Sequence, residues 1–95
     1  MNYLNHTYSK LRNAGLVNGL NDFSTRYLLR CESYARSYKS RNKDLTLPVL
    51  IVLTARVDKT ARALLGTNAG HMLGEELAEL ATDLSRAVYD KALSS

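Results

Sequence analysis

Six cations fall within residues 26–43: Arg26, Arg30, Arg36, Lys39, Arg41 and Lys43, opposed only by Glu32. Positive charge at this density suits a phosphate backbone or an acidic protein surface. Its plain alternative is a solvated basic face with no partner. Other residues capable of chemistry are sparse. His71 and Glu75 stand one helical turn apart, but two ligands are too few for a metal site, and they read as a surface pair at a helix start. Cys31 follows Arg30, a setting that favours a reactive thiolate; the ordinary reading is a small buried residue at a turn. Gly66, Gly70 and Gly74 lack phosphate-loop spacing and the Lys-Ser or Lys-Thr that follows it. Asn5-His6-Thr7 matches a glycosylation acceptor by chance, since no leader precedes it. No Ser/His/Asp, Cys/His or paired-carboxylate set shares a helical face, so the expectation is a protein without catalysis, metal or cofactor.

The chain has 95 residues, 45% of them hydrophobic, with one Pro, five Gly and one Cys. That is one domain, with an apolar fraction too high for wholesale disorder. A domain of this size buries about two-thirds of its unfolded surface, so its stability is modest or shared with a second subunit. A single cysteine excludes an internal disulfide framework and fits a reducing cytoplasm. The longest run without an ionisable side chain, 45–55, is about half of what a membrane span needs, so no membrane partner is expected. Net charge is +4, divided unevenly: residues 1–43 carry +6 and residues 44–95 carry −2.

The elements that would position these side chains are helical. Leu4, Tyr8 and Leu11 recur at helical spacing from Tyr3 to Ala14, and Gly15 supplies a left-handed stop with Leu16 packing back. Asn21 reads as the N-cap of a second helix, with Asp22 near its positive end and Phe23, Tyr27 and Leu28 as its buried stripe. The pattern slips over 29–32, and a third short helix covers 33–40 with Tyr34 and Tyr38 one turn apart. Asn42 supplies a positive φ in the polar break that follows. The apolar run from Thr46 to Leu53 is ambiguous between strand and buried helix. Thr46 as N-cap with Pro48 in the first turn favours helix, as does the lack of a partner strand. Leu47, Leu50, Ile51, Thr54 and Val57 then form its face. After a turn over 66–70, Leu73, Leu77, Leu80, Leu84 and Ala87 mark an amphipathic helix of about five turns. Its acids crowd the N-terminal half, as the helix dipole prefers. The predicted fold is all-α, a single bundle of about five helices.

The segment Asn21-Asp22-Phe23-Ser24-Thr25-Arg26-Tyr27-Leu28-Leu29-Arg30-Cys31-Glu32-Ser33-Tyr34, followed by Leu47-Pro48-Val49-Leu50, resembles the Cro/repressor-type helix-turn-helix. It is also similar to a group of short alphaproteobacterial regulatory proteins with that layout and an extra C-terminal helix, small antiactivators among them. The resemblance covers about residues 20–58. It implies that Phe23 and Tyr27 are core, and that Ser33, Tyr34, Arg36, Ser37 and Lys39 line a recognition helix. Two positions depart from the pattern: Leu29 occupies the turn position usually held by Gly, and Glu32 opens the recognition helix. The leading expectation is a transcription regulator that binds DNA as a dimer. Arg26, Arg30, Lys39, Arg41 and Lys43 would grip phosphates while Ser33, Arg36 and Ser37 approach base edges. Leu73, Leu77, Leu80 and Leu84 would complete the monomer core or form a two-fold interface. The alternative is an antiactivator that docks on a transcriptional activator without binding DNA, using Tyr34, Tyr38, Arg36 and the Leu73–Val88 face.

Overall fold

A computed structural model describes residues 2–94 and contains five helices: α1 (Tyr3–Asn13), α2 (Leu20–Arg26), α3 (Tyr34–Ser40), α4 (Leu47–Leu65) and α5 (His71–Ser94). The ambiguous apolar run is helix, and no strand occurs among the described residues. No helix is long and apolar enough to cross a membrane.

Each helix boundary has a local cause. At the start of α1 the Asn2 side chain accepts from the Asn5 N–H at 2.9 Å. The carboxylate of Asp44, some forty residues away, accepts from the Tyr3 and Leu4 N–H groups, each at 3.0 Å, and from its neighbour Leu45 at 2.8 Å. Four donors that a helix start and a loop leave unpaired are thereby satisfied by two residues. At the other end Gly15 adopts φ +75° and Leu16 N–H bonds back to the Leu11 carbonyl at 2.9 Å, the expected left-handed stop. Helix α2 begins two residues earlier than predicted, with Gly19 rather than Asn21 at the N-cap. The reason is Asp22, whose carboxylate reaches back to the Asn18 N–H at 3.0 Å and fixes the entry turn from within the helix. Thr46 is the extended N-cap of α4 and Pro48 sits in its first turn, where a missing N–H costs nothing.

One contiguous core runs from Leu4 to Ala87 and draws residues from all five helices. Phe23, fully buried, meets the Tyr8 ring at 5.5 Å and the Tyr27 ring at 6.3 Å, joining α1 to α2. The buried row of α4 is Val49, Leu50, Leu53, Val57 and Ala61. This differs from the predicted face: Ile51 is 49% exposed, while Leu47 and Thr54 are half-buried. The run is apolar on every side, so periodicity alone offers two faces. The i, i+4 row from Val49 to Ala61 is the one that is buried in the core. Helix α5 returns along α4, and Gly74 is what permits their close approach. A Cβ there would lie 2.8 Å from the Leu65 backbone nitrogen and 3.1 Å from the Ala61 carbonyl. Leu77, Leu80 and Leu84 are buried within the chain and Leu73 is half-buried, so the C-terminal stripe completes the monomer core. It is not available to a two-fold interface.

Leu50 is fully buried at the centre of this core. Leu50→Ala is expected to destabilise the protein by about 2–5 kcal/mol through lost burial and a residual cavity. Urea denaturation followed by circular dichroism checks this; a loss below about 1 kcal/mol would contradict the assigned packing.

Candidate functional site

The basic segment folds as α2, an irregular connection over residues 27–33, and α3. The connection is longer than the three or four residues of the tightest helix-turn-helix units. Tyr27 and Leu28 both bond the Phe23 carbonyl, at 3.0 and 3.2 Å, so the chain stays wound past the end of α2. It then reverses at Leu29, which takes φ +53°. This is the left-handed conformation for which glycine is the usual choice, so Leu29 performs the glycine's turn at the expense of steric strain. Leu28 occupies the buried position of the turn, and Leu29 is left 52% exposed. That division also corrects the expectation for Cys31: with Leu28 filling the interior, Cys31 is exposed, its sulfur 3.6 Å from the Ser33 hydroxyl.

Ser24 is fully buried and ties the two helices together. Its hydroxyl donates to the Leu20 carbonyl at 2.8 Å and accepts from the Ala35 N–H at 2.9 Å. Its own carbonyl accepts from the Arg30 N–H at 3.0 Å across the turn. Ser33 stands at the N-cap of α3 but makes no side-chain cap bond. The cap of α3 therefore comes from α2. Ala35, the one buried residue of α3, packs on the same contact.

This anchoring decides which side of α3 faces out. Ser33, Arg36, Ser37, Lys39 and Ser40 are exposed. Tyr34 and Tyr38 are half-buried and packed against the core, with their rings stacked at 4.4 Å. They do not point outward beside Arg36 and Ser37, as a contact surface built on them requires. Cations bracket the stack: the Arg30 guanidinium lies 5.9 Å from the Tyr34 ring and that of Arg41 lies 5.1 Å from the Tyr38 ring. Lys39 sits over Tyr8 at 5.5 Å. Two other cations are tethers. Arg26 donates to the Leu16 carbonyl at 3.1 Å and pairs with Asp22 at 3.3 Å, and Arg36 donates to the Asn21 side-chain carbonyl. Of the six cations, Arg26 alone makes an ion pair with a carboxylate among the described residues. The face thus carries ring-braced positive charge that exceeds its acids, Asp22 and Glu32, an arrangement able to accept phosphate oxygens.

His71 Nε2 and Glu75 Oε1 lie 2.9 Å apart, exposed at the start of α5. Among the described residues no three His, Cys, Asp or Glu side chains are grouped for a metal. A feature not anticipated from the sequence is a cleft between α2 and α4, which involves Arg56 and Lys59. No local motif marks it, because its two walls lie some thirty residues apart in the chain.

Two outcomes follow from this geometry. Ser24→Ala leaves the Ala35 N–H without its acceptor and is expected to cost about 1–3 kcal/mol. Amide exchange at Ala35 should accelerate with it, and exchange as slow as in the parent would refute the capping role. The Tyr34 phenol is pushed up to about 12, first by burial and then by the adjacent Tyr38 hydroxyl; Thr46 and Arg30 pull the other way. A folded state that holds this proton more tightly than the unfolded chain is favoured below about pH 10, and loses that advantage as pH rises toward 12. Urea denaturation at pH 9 and 11 should show stability falling with pH, with a shallower fall in Tyr34→Phe.

No curated protein and no solved structure matches the chain. One family model does, and it spans all five helices rather than the α2–α3 unit alone. On that match over residues 4–95, the chain belongs to a family of unknown function, DUF6626.

Proposed function

We propose that this protein is a small transcription regulator that binds duplex DNA through α2, the turn and α3. One observation carries the reading. The outer face of α3 is polar and cationic, while the apolar side of the same helix is held inward by Ser24 and the tyrosine stack. Arg30, Lys39, Arg41 and Lys43 are the phosphate contacts in this reading, with Arg26 contributing its remaining N–H groups. Ser33, Arg36 and Ser37 lie nearest to base edges. An exposed helix with small hydroxyl residues between cations allows close approach to a groove.

The antiactivator reading draws less support. The anchors it requires, Tyr34, Tyr38 and the leucines of α5, are half-buried or buried within the chain. Exposed Leu29 at the apex of the turn is the observation in its favour, since an apolar side chain beside a cationic face suits a protein partner.

DNA binding through this face requires affinity for duplex DNA to fall steeply as salt rises, because each neutralised phosphate releases counterions. Lys39→Ala and Arg41→Ala should each flatten the log–log salt slope by about one. Fluorescence anisotropy with a labelled duplex measures this. Absence of binding at about 50 mM salt would overturn the reading. Recovery of an activator protein through Leu29, lost in Leu29→Ala, would favour the alternative.

A further inference from the structure

A cleft of about 470 Å³ lies between the end of α2 and the middle of α4, and of the cations read above as phosphate contacts it is lined by Arg26 alone. We propose that it binds a phosphoryl group, held by Arg56, Lys59 and Arg26. Arg56 and Lys59 are three residues apart on α4 and therefore project from one face of that helix. The volume falls within the range of small-ligand sites.

The polar inventory of the cleft leaves little choice of ligand. Thr25 donates its hydroxyl proton back into α2, to the Asn21 and Asp22 carbonyls at 3.3 Å each. Thr60 donates its own to the Arg56 carbonyl at 3.0 Å. Tyr27 and Thr60 are 3.1 Å apart, and since the Thr60 proton is already committed, Tyr27 is the donor between them. All three hydroxyl protons are thus used internally. What remains to bind a ligand is the guanidinium and ammonium groups, which can only donate.

No carboxylate lines the cleft among the described residues. Asp58, next to Lys59 in the sequence, is paired with Arg62 at 3.0 Å, and both line a different groove, between α4 and α5. Arg26 is the cation of this cleft already matched, by Asp22. Arg56 and Lys59 make no ion pair among the described residues. Two uncompensated positive charges beside a third, partly neutralised one match a phosphate dianion better than a carboxylate. That phosphate can come from a free phosphorylated small molecule or from a nucleic-acid backbone. The site stands on its own lining residues and does not depend on the reading of α3.

The test is a titration of the full chain with inorganic phosphate, followed by ¹H–¹⁵N correlation spectra, with chloride at matched ionic strength as control. Saturable shifts centred on the amides of Thr25, Lys59 and Thr60 are expected. Arg56→Gln with Lys59→Gln should weaken the phosphate affinity by about tenfold or more. If the double variant does not fold, Lys59→Gln alone, at an exposed position, makes the same comparison. Shifts that do not saturate, that spread equally over Lys39 and Arg41, or that persist in the variant would overturn the proposal. The duplex arm then separates the sources. A salt slope reduced by about two in the double variant assigns the site to backbone phosphate, and an unchanged slope assigns it to a free ligand. Loss of phosphate binding together with intact duplex binding, or the reverse, distinguishes failure of this site from failure of the α3 face.

Discussion

The hydroxyl of Ser24 holds α2 and α3 in register. Helices α2 and α3 have only seven residues each, too short to persist on their own. A single buried oxygen takes a proton from the backbone of one and gives its own to the backbone of the other. Without it, α3 would begin with uncapped N–H groups against an apolar interior, since Ser33 offers no cap bond. Ser24 and Ala35 are both fully buried, which keeps water from competing for the contact. Every outward residue of α3 inherits its direction from this bond, because rotation of the helix would break it.

The cations on and around this unit are braced rather than loose. A long basic side chain ordinarily gives up rotamer freedom when it meets a ligand. Here Arg30 and Arg41 lie along stacked tyrosine rings, Lys39 lies over Tyr8, and Arg36 is tethered to Asn21. Each such contact is worth about 0.5–1 kcal/mol at an exposed site, enough to bias direction without hiding the charge. The tyrosines thus serve two layers at once, packed against the core and within reach of a cation. Their composition alone suggested an adhesive surface. Their position makes them the support beneath one.

Much of the fold was legible in the sequence because the signals were local. Gly15 and Asn42 marked left-handed positions that the backbone adopts, and Thr46-Pro48 marked the start of α4. Leu73 to Ala87 marked the inner face of α5. What escaped was set by tertiary competition. Asn21 lost the N-cap because Asp22 reaches Asn18, and Ile51 is exposed because the packed fold buries the row of Val49 and Leu53 instead. Leu29 argued against a tight turn by its type, yet it adopts the turn's left-handed geometry. The α3 face was readable because its residues are contiguous. The α2–α4 cleft was not, since Arg26 and the Arg56–Lys59 pair come together only when the core forms.

Asp44 also makes the start of α1 depend on a residue far along the chain. Two N–H groups of its first turn are bonded by a carboxylate some forty residues further on. The same carboxylate bonds the Leu45 N–H, so one side chain fastens the first helix to the linker that precedes α4. That linker therefore acts as a latch: a change of side chain at residue 44 would be felt first at the opposite end of the N-terminal half, where the donors of α1 lose their acceptor.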